Sequence, residues 1–210
     1  MDINWSQVPD FDLFTMSSPC QDFSSAGKQA GGEEGSGTRS SLLWECRKAI
    51  VAKLPKYILF ENVPAILSKK FKPGFLKWCA ELESYGYANF YQLLNAKDYG
   101  IPQNRLRCFM VSILRTEADP TPAYNFPAPF PLEKRLRDVL EENVDESYYL
   151  RPEQVERVLA HTEKHAERGN GFKHRFETGG GICGTILTAY GQRPTDTYLK
   201  TDEHPPGKND

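Results

Sequence analysis

The sequence predicts an α/β fold, and two observations lead to this prediction. Short apolar segments of strand length alternate with segments whose apolar residues recur at helical spacing. Chemically reactive residues, Cys20 and Glu61, directly follow two of the strand-like segments. Such alternation is typical of a sheet with helices on its faces, whose reactive groups gather at the carboxyl ends of the strands.

The amino-terminal part supplies the first elements in order. Residues 11–17 (FDLFTMS) predict a short buried strand that leads into Pro19 and Cys20. Residues 22–40, rich in Gly and Ser, predict a flexible loop. The next segment, LLWECRKAIVAKL, predicts a helix that ends before Pro55. Its inward face is expected to consist of Leu43, Cys46, Ile50 and Leu54.

The elements that follow repeat this alternation. The segment YILF predicts a second buried strand that ends at Glu61. The segment FLKWCAELESYG predicts a helix with Gly86 at its carboxyl end. Its inward residues are expected to be Phe75, Cys79 and Leu82. Two further strands, YANFYQLL and RCFMVSIL, are separated by the turn-rich AKDYGIPQN.

The character of the sequence changes beyond Leu114. Five prolines between Pro120 and Pro131 exclude regular structure there, and a helix opened by Pro152 follows. The glycine-rich segments GNGF and GGGICG frame the remainder, and no internal repeat is visible. These features predict three parts: a core at 1–115, a proline-rich connection at 116–150 and a second, irregular unit at 151–210.

Composition bounds the classes of function. The 210 residues carry a formal net charge of -2, which argues against a uniformly basic nucleic-acid coat protein but leaves room for a local basic cleft. No apolar run reaches the roughly 20 residues of a membrane span, and MDINWSQVPD lacks the features of a signal peptide. Five separated cysteines without a CxxC pair favour a reduced, cytoplasmic chain.

A metal site is not expected from the sequence. His161 and His165 in HTEKH lie four apart and could share a helical face. However, Thr162 occupies the position where a zincin helix carries glutamate, and Lys164 is not a ligand. A solvated helix is the favoured interpretation of this segment.

Three short motifs carry the chemistry, although each is weak alone. A cysteine after proline is more often structural than catalytic, ENV at a strand end can be a simple cap, and QNRLR is usually a solvated basic turn. Here PCQ at 19–21, ENV at 61–63 and QNRLR at 103–107 occur in that order, each at a predicted strand edge. Their combination within one predicted α/β unit favours a catalytic site.

These residues resemble the DNA cytosine-5 methyltransferases, in particular the bacterial and phage restriction-modification type. The resemblance is carried by PCQ, the loop FSSAGK at 23–28, residues 39–43, ENV, and the long segment LNAKDYGIPQNRLR. FPAPF and TILTAYGQ also look like family segments, so the likeness covers nearly the whole chain. It implies a partial Rossmann-like S-adenosylmethionine-dependent methyltransferase sheet with a smaller irregular target-recognition unit.

The chemistry of cytosine methylation explains why these residue types belong together. A thiolate that adds to carbon 6 makes carbon 5 electron-rich, a carboxyl group can protonate or hydrogen-bond ring N3, and a guanidinium can stabilise charge near O2. Cys20, Glu61 and Arg107 fit these roles. Because carbon 6 is inaccessible in stacked DNA, the base must rotate out of the duplex. The resemblance makes residues 22–41 the loop that closes over it, and five glycines there allow a large movement.

The resemblance implies further contacts with substrate and cofactor. Arg105 would contact the flipped nucleotide or its phosphate, and Gln103 would brace the site. The remaining substrate-binding residues would be Pro19, Gln21, Ser24, Asn62 and Val63. S-adenosylmethionine would be held by Asp2, Ile3, Pro19 and Leu42. Double-stranded DNA is the expected partner, with no membrane and no metal.

The sequence departs from the family pattern at both ends. DLF at 12–14 is followed by Thr-Met-Ser-Ser instead of the glycine-rich turn that cradles the cofactor, and no RxLTxxExxRLQxFP segment follows TAYGQ. The chain therefore looks truncated or split, and a complementary chain that supplies the missing segments is one expectation. Weak binding of S-adenosylmethionine by these residues alone is another.

Three other functions stay open at this stage. The chain could be an inactive fragment that only binds DNA or a partner, or a cytosine-5 methyltransferase that acts on tRNA. An unrelated cysteine hydrolase is disfavoured because all four histidines lie at position 161 or later, away from Cys20. Labelled methyl transfer to DNA and to tRNA separates these possibilities.

Overall fold

The structure is a computed structural model that describes residues 3–17, 42–167, 175–186 and 197–200. It divides into two compact units. The first consists of Met1–Leu94 and Leu106–Ala128, and the second of Asn95–Arg105 and Pro129–Asp210. The functional boundaries predicted at 115 and 150 stay a prediction.

The first unit is built on a mixed four-stranded sheet. Its strands are β1 (Leu13–Met16), β2 (Tyr57–Asn62), β3 (Tyr87–Asn95) and β4 (Leu106–Leu114), in the order β1-β2-β4-β3. Strand β2 pairs in parallel with β1 and antiparallel with β4. The four strands predicted from the sequence are confirmed, and β2 extends one residue beyond Glu61.

Strand β2 alternates between two environments. Ile58, Phe60 and Asn62 are buried, whereas Tyr57 and Glu61 lie on the opposite side of the strand. The Phe60 ring stacks on Phe75 at a centroid distance of 6.2 Å. Glu61 is therefore on the face of β2 that does not enter this core.

Helix α1 (Leu42–Lys53) confirms the first predicted helix but not all of its inward face. Ala49 and Ile50 are buried and Cys46 is half-buried. The prediction for Leu54 is wrong, because its side chain is 48% exposed and its backbone is left-handed at φ 42°. The ring of Pro55 disfavours the α conformation in the preceding residue, so the helix ends and Leu54 turns outward.

Helix α2 (Lys72–Ser84) packs on the same sheet. The predicted inward residues Phe75, Cys79 and Leu82 are all buried, and Trp78 joins them with no exposed surface. Gly86 follows the helix with a left-handed φ of 95°, as predicted for a glycine at a helix end.

The second unit has less regular structure. It contains α3 (Pro152–Glu167) and a small parallel pair, β5 (Arg175–Glu177) and β6 (Thr197–Leu199). Three short 3-10 turns lie at Ala96–Asp98, Leu136–Asp138 and Glu146–Tyr148. The predicted helix is confirmed, and the proline-rich stretch contains neither helix nor strand.

Two leucines of α2 test how much the core contributes to stability. We expect Leu82→Ala to lower the free energy of unfolding by about 2–5 kcal/mol, because Leu82 is 0% exposed and its removal leaves a cavity. Leu76→Ala on the same helix is the matched control, since Leu76 is 43% exposed and should cost less than about 1 kcal/mol. Urea unfolding measures both, and equal losses would contradict this description of the core.

Candidate active site

The candidate site lies where β1 and β2 end. Because these strands are parallel and Met16 pairs with Phe60, the next residues, Ser17 and Glu61, reach the same edge of the sheet. Ser17 is the last described residue before Cys20, which follows it by three positions in the sequence. The strand pairing thus determines which side chains can surround Glu61.

Both oxygens of the Glu61 carboxylate are held by side chains. Arg107 Nε lies 2.9 Å from Oε1, and Ser17 Oγ donates a hydrogen bond of 2.9 Å to Oε2. The Arg107 side chain also donates to the backbone carbonyl of Leu106 at 2.8 Å. These bonds fix the plane of the carboxylate and the direction of the guanidinium.

The register of β2 and β4 explains why Glu61 and Arg107 meet. Glu61 pairs directly with Phe109, and Arg107 lies two residues before Phe109 on the same face of β4. Diagonal neighbours across paired strands are within reach of long side chains. The side chains are 29% and 15% exposed for Glu61 and Arg107, so this ion pair is only partly screened by water and one side stays accessible.

This arrangement combines an acid–base group with a fixed positive charge. A carboxyl group can share a proton with a ring nitrogen, and a guanidinium beside it can stabilise negative charge on an oxygen. The hydroxyl of Ser17 adds a hydrogen bond that keeps the carboxyl group in one orientation. The site therefore suits chemistry in which negative charge develops on a heterocyclic ring.

Two buried cysteines of this unit are poor nucleophiles. Burial raises the pKa of Cys108 to about 11, and the nearby Glu61 carboxylate adds to the rise. Burial likewise raises the pKa of Cys79 to about 12. Only a thiolate attacks efficiently, so both groups are inert near neutral pH.

Asn62 and Val63 follow Glu61 but face different surroundings. Asn62 is 1% exposed, on the core side of β2, and its Oδ1 accepts a hydrogen bond of 2.9 Å from the Val63 N–H. Val63 is half-buried and precedes the turn Pro64–Leu67. Their predicted contacts with substrate stay a prediction.

Gln103 and Arg105 belong to the second unit. The Arg105 N–H donates to Asn95 Oδ1 at 2.9 Å, and Gln103 forms an isolated bridge with Cys183. The backbones of both residues thus have well-defined partners within that unit. Their grouping with Glu61 and Arg107 stays a prediction.

Several predicted site residues lie outside the described residues. These are Asp2, Pro19, Cys20, Gln21 and Ser24, together with the whole of the predicted loop at 22–41. Leu42 begins α1 and its side chain is also outside the description, whereas Ile3 is described and exposed. The roles of Cys20 as nucleophile and of the cofactor residues stay predictions.

Within the ranges that the structure describes, no group of three or more His, Cys, Asp or Glu side chains is placed to hold a metal ion. The rings of His161 and His165 lie 4.2 Å apart on α3. Both are half-buried, and His161 Nδ1 is buried without a hydrogen-bond partner, so the solvated helix predicted here is wrong for this face.

No helix among those described has the length and apolar character to cross a membrane.

Two residues with a clear structural role were not predicted from the sequence. The sequence predicts Ser17 only as the end of a strand, and its contact with Glu61 depends on the register of parallel strands. Asn95 lay within a recognised motif, but its contacts with Arg105 and Asn104 depend on how the loop folds back. The parallel pairing of the two strands would have been the signal for Ser17.

Comparison with known proteins gives a consistent result. The family model described as C-5 cytosine-specific DNA methylase matches residues 1–203. The type II methyltransferase M2.ScrFI of Lactococcus lactis subsp. cremoris is 50% identical over 153 residues, which are 73% of this chain and 41% of that protein. The type II methyltransferase M.HpaII of Haemophilus parainfluenzae is 33% identical over 84% of this chain and 49% of its own length.

Solved structures show the same fold. The S. pombe Dnmt2 methyltransferase matches with a TM-score of 0.59 and 21% identity, over 92% of this chain and 56% of its own. The Entamoeba histolytica methyltransferase EhMeth matches with a TM-score of 0.61 and 21% identity, over 94% and 57%. These likenesses confirm the predicted partial Rossmann-like α/β methyltransferase fold.

The chain spans about 40% of M2.ScrFI and about half of M.HpaII. These comparisons do not support the complementary chain that the sequence analysis raised, and it stays untested. The match of the family model over almost the entire sequence confirms the resemblance found in the motifs. The chain belongs to the C-5 cytosine-specific DNA methylase family.

Proposed function

We propose that the protein carrying this chain transfers a methyl group from S-adenosylmethionine to carbon 5 of cytosine in double-stranded DNA. The observation that carries the proposal is the Glu61 carboxylate, held by Arg107 and Ser17 at the edge from which the chain runs to Cys20. Three peptide units separate Ser17 from Cys20, so their Cα atoms are at most about 11 Å apart. This covalent limit is compatible with a nucleophile and a carboxyl group that act on the same base.

Cys20 acts as the nucleophile. Its thiolate forms a bond to carbon 6, and the electrons of the 5,6 double bond shift so that carbon 5 becomes nucleophilic. After carbon 5 is alkylated, it loses its proton, the double bond re-forms and the cysteine leaves. Cys79 and Cys108 are too deeply buried and too weakly acidic for this role.

Glu61 and Arg107 stabilise the ring during addition. The Glu61 carboxyl group shares a proton with ring N3, which prevents full negative charge on the ring. The guanidinium of Arg107 lies beside the carboxyl group and stabilises charge near O2. Ser17 keeps the carboxyl group oriented through its hydrogen bond to Oε2.

The substrate base must leave the duplex before Cys20 can reach carbon 6. Arg105 contacts the flipped nucleotide or its phosphate, Gln103 braces the site, and Pro19, Gln21, Ser24, Asn62 and Val63 contact the base and its surroundings. The family relation supports these assignments.

S-adenosylmethionine supplies an electrophilic methyl group when bound. The exposed apolar side chain of Ile3 fits a contact with an adenine ring. Asp2, Pro19 and Leu42 are the other residues that would hold the cofactor.

Methyl transfer from labelled S-adenosylmethionine is the direct test. Double-stranded DNA should accept the label and tRNA should not. Label in tRNA alone, or binding of DNA without transfer, would overturn the proposal.

Replacement of the nucleophile should separate binding from chemistry. We expect Cys20→Ser to abolish methyl transfer and the covalent adduct with 5-fluorocytosine DNA, while DNA binding stays nearly unchanged, because a hydroxyl is far less nucleophilic than a thiolate. Cys46→Ser on α1 is the matched control and should form the adduct normally. Adduct formation by Cys20→Ser at the yield of the unsubstituted protein would refute the assignment.

Replacement of the acid should slow transfer without removing the side chain's shape. Glu61→Gln should lower the single-turnover rate by about 10²–10⁴, because an amide cannot supply the proton. Glu81→Gln is the matched control: Glu81 is also part-buried and ion-paired, with Arg47 at 3.1 Å, but lies outside the site. If both variants transferred at nearly the same rate, Glu61 would be only a structural group.

The buried thiols of Cys79 and Cys108 should react only after the protein unfolds. At pH 8 about one in a thousand Cys108 thiols is ionised when its pKa is about 11, and Cys79 is ionised even less. We expect iodoacetamide to leave both unmodified in the folded protein and to modify both in urea, as read by peptide mass spectrometry. Rapid native labelling of Cys108 would show that it is accessible and acidic, contrary to this structure.

A further inference from the structure

The loop Asn95–Arg105, which joins β3 to β4, is tied together by one side chain. Asn95 Oδ1 accepts hydrogen bonds from the N–H groups of Arg105 at 2.9 Å and Lys97 at 3.4 Å. Its Nδ2 donates to Asn104 Oδ1 at 2.7 Å. The first residue of the loop therefore holds both the turn that follows it and the residues at the loop's end.

A second segment holds the same loop from a distant part of the sequence. The Asn104 N–H donates to the Cys183 carbonyl at 2.8 Å, and the Cys183 N–H donates to the Pro102 carbonyl at 2.9 Å. These two bonds enclose Gln103, which bridges Cys183. Thr185 Oγ1 adds a hydrogen bond of 3.1 Å to the Asn104 carbonyl.

The middle of the loop is sterically constrained. Gly100 has a left-handed φ of 78°, and a Cβ at this position would lie 2.9 Å from the Phe130 ring. The Phe130 N–H donates to the Asp98 carbonyl at 3.0 Å. The loop thus has fixed partners at its start, middle and end, although it contains only a short 3-10 turn, Ala96–Asp98.

The hydrogen bond from the Arg105 N–H to the Asn95 side chain matters most for the position of Arg105. The Arg105 carbonyl accepts from the Ala96 N–H at 3.1 Å, whereas the Arg105 N–H is satisfied by the side chain of Asn95. Removal of that side chain leaves a backbone donor without this partner and frees the Asn104 amide at the same time. Loss of such a partner changes local backbone order more than it changes the hydrophobic core.

We infer that Asn95 is a positioning residue for Arg105 and that it acts together with the segment Cys183–Thr185. The backbone at Gln103 and Arg105 is thereby set from within the second unit, to which all of these residues belong. The inference rests on the proposed function, in which Arg105 contacts the flipped nucleotide or its phosphate. It implies that contacts within the second unit control the placement of an arginine that contacts the base or its phosphate.

The first experiment measures the backbone order of the loop directly and does not depend on methyl-transfer activity. Amide hydrogen exchange should rise at least about tenfold at Asn104, Arg105 and Cys183 in Asn95→Ala, with β2 unaffected. Asn95→Asp should restore protection, because a carboxylate oxygen still accepts from Arg105 and the Asn104 amide can rotate to donate to it. Unchanged exchange in Asn95→Ala would overturn the role of Asn95.

Asn89→Ala is the matched control. Asn89 lies on the same strand, but its side chain donates to the Cys79 carbonyl at 2.9 Å and accepts from Ser112 Oγ at 2.7 Å, both in the first unit. We expect this variant to lose thermal stability while exchange at Asn104 and Arg105, and the KM for DNA, stay as in the unsubstituted protein.

The second experiment is a double-mutant cycle on methyl transfer to DNA. Asn95→Ala should lower kcat/KM about 10–100-fold, since a small misplacement of a contacting group has effects of this size. In an Arg105→Ala background the same substitution should have little further effect, because Asn95 acts through Arg105. Thr185→Ala should give a smaller loss in the same direction, and Asn95→Asp should stay within about threefold of the unsubstituted protein.

The outcomes separate this inference from the proposed function. Additive losses in Asn95→Ala and Arg105→Ala would overturn the positioning role while methylation by the unsubstituted protein stands. Full activity of Arg105→Ala would overturn it as well. If the unsubstituted protein transferred no methyl group to DNA, the proposed function would fail, and hydrogen exchange would still decide whether Asn95 holds the loop.

Discussion

The ion pair between Glu61 and Arg107 depends on β2 having two kinds of neighbour. A parallel partner, β1, brings the hydroxyl of Ser17 to the end of β2, and an antiparallel partner, β4, brings the guanidinium from the opposite direction. A sheet with only parallel strands would place the start of β4 at the far edge. The mixed pairing therefore concentrates a carboxylate, a guanidinium and a hydroxyl donor within a few ångströms, while the alternation of β2 keeps them out of the core.

Much of the first unit follows from the sequence because its signals are local. Apolar periodicity located all four strands and both helices, and proline and glycine marked where the helices end. The sequence-based predictions fail where contacts with neighbouring residues determine the position of a side chain. Leu54 fits the helical period, yet the following proline turns it outward, and Trp78 fills a space that only the packed sheet and helix define.

The site was harder to predict than the fold, for a similar reason. Motif spacing identified Glu61 and Arg107, but their contact requires a strand register that no local pattern encodes. Ser17 acts through a hydrogen bond to a group 44 residues away, and the hydrogen bonds of Asn95 include one to Arg105, 10 residues away. The histidines of α3 show the same limit. The polar residues around them predict a solvated helix, but packing leaves both side chains half-buried.

The two units are interleaved along the sequence, and this has a consequence for exchange of the second unit between relatives. The second unit includes a short loop that the chain threads between two strands of the first, and the strip at Cys183 bonds to that loop. A contiguous cassette that begins at Pro129 would carry only one partner of each of these hydrogen bonds, because the loop partners would come from the recipient. An exchange that keeps these hydrogen bonds must carry Asn95–Arg105 along with the cassette. Otherwise it must join two sequences in which the segment Cys183–Thr185 and the loop already form them.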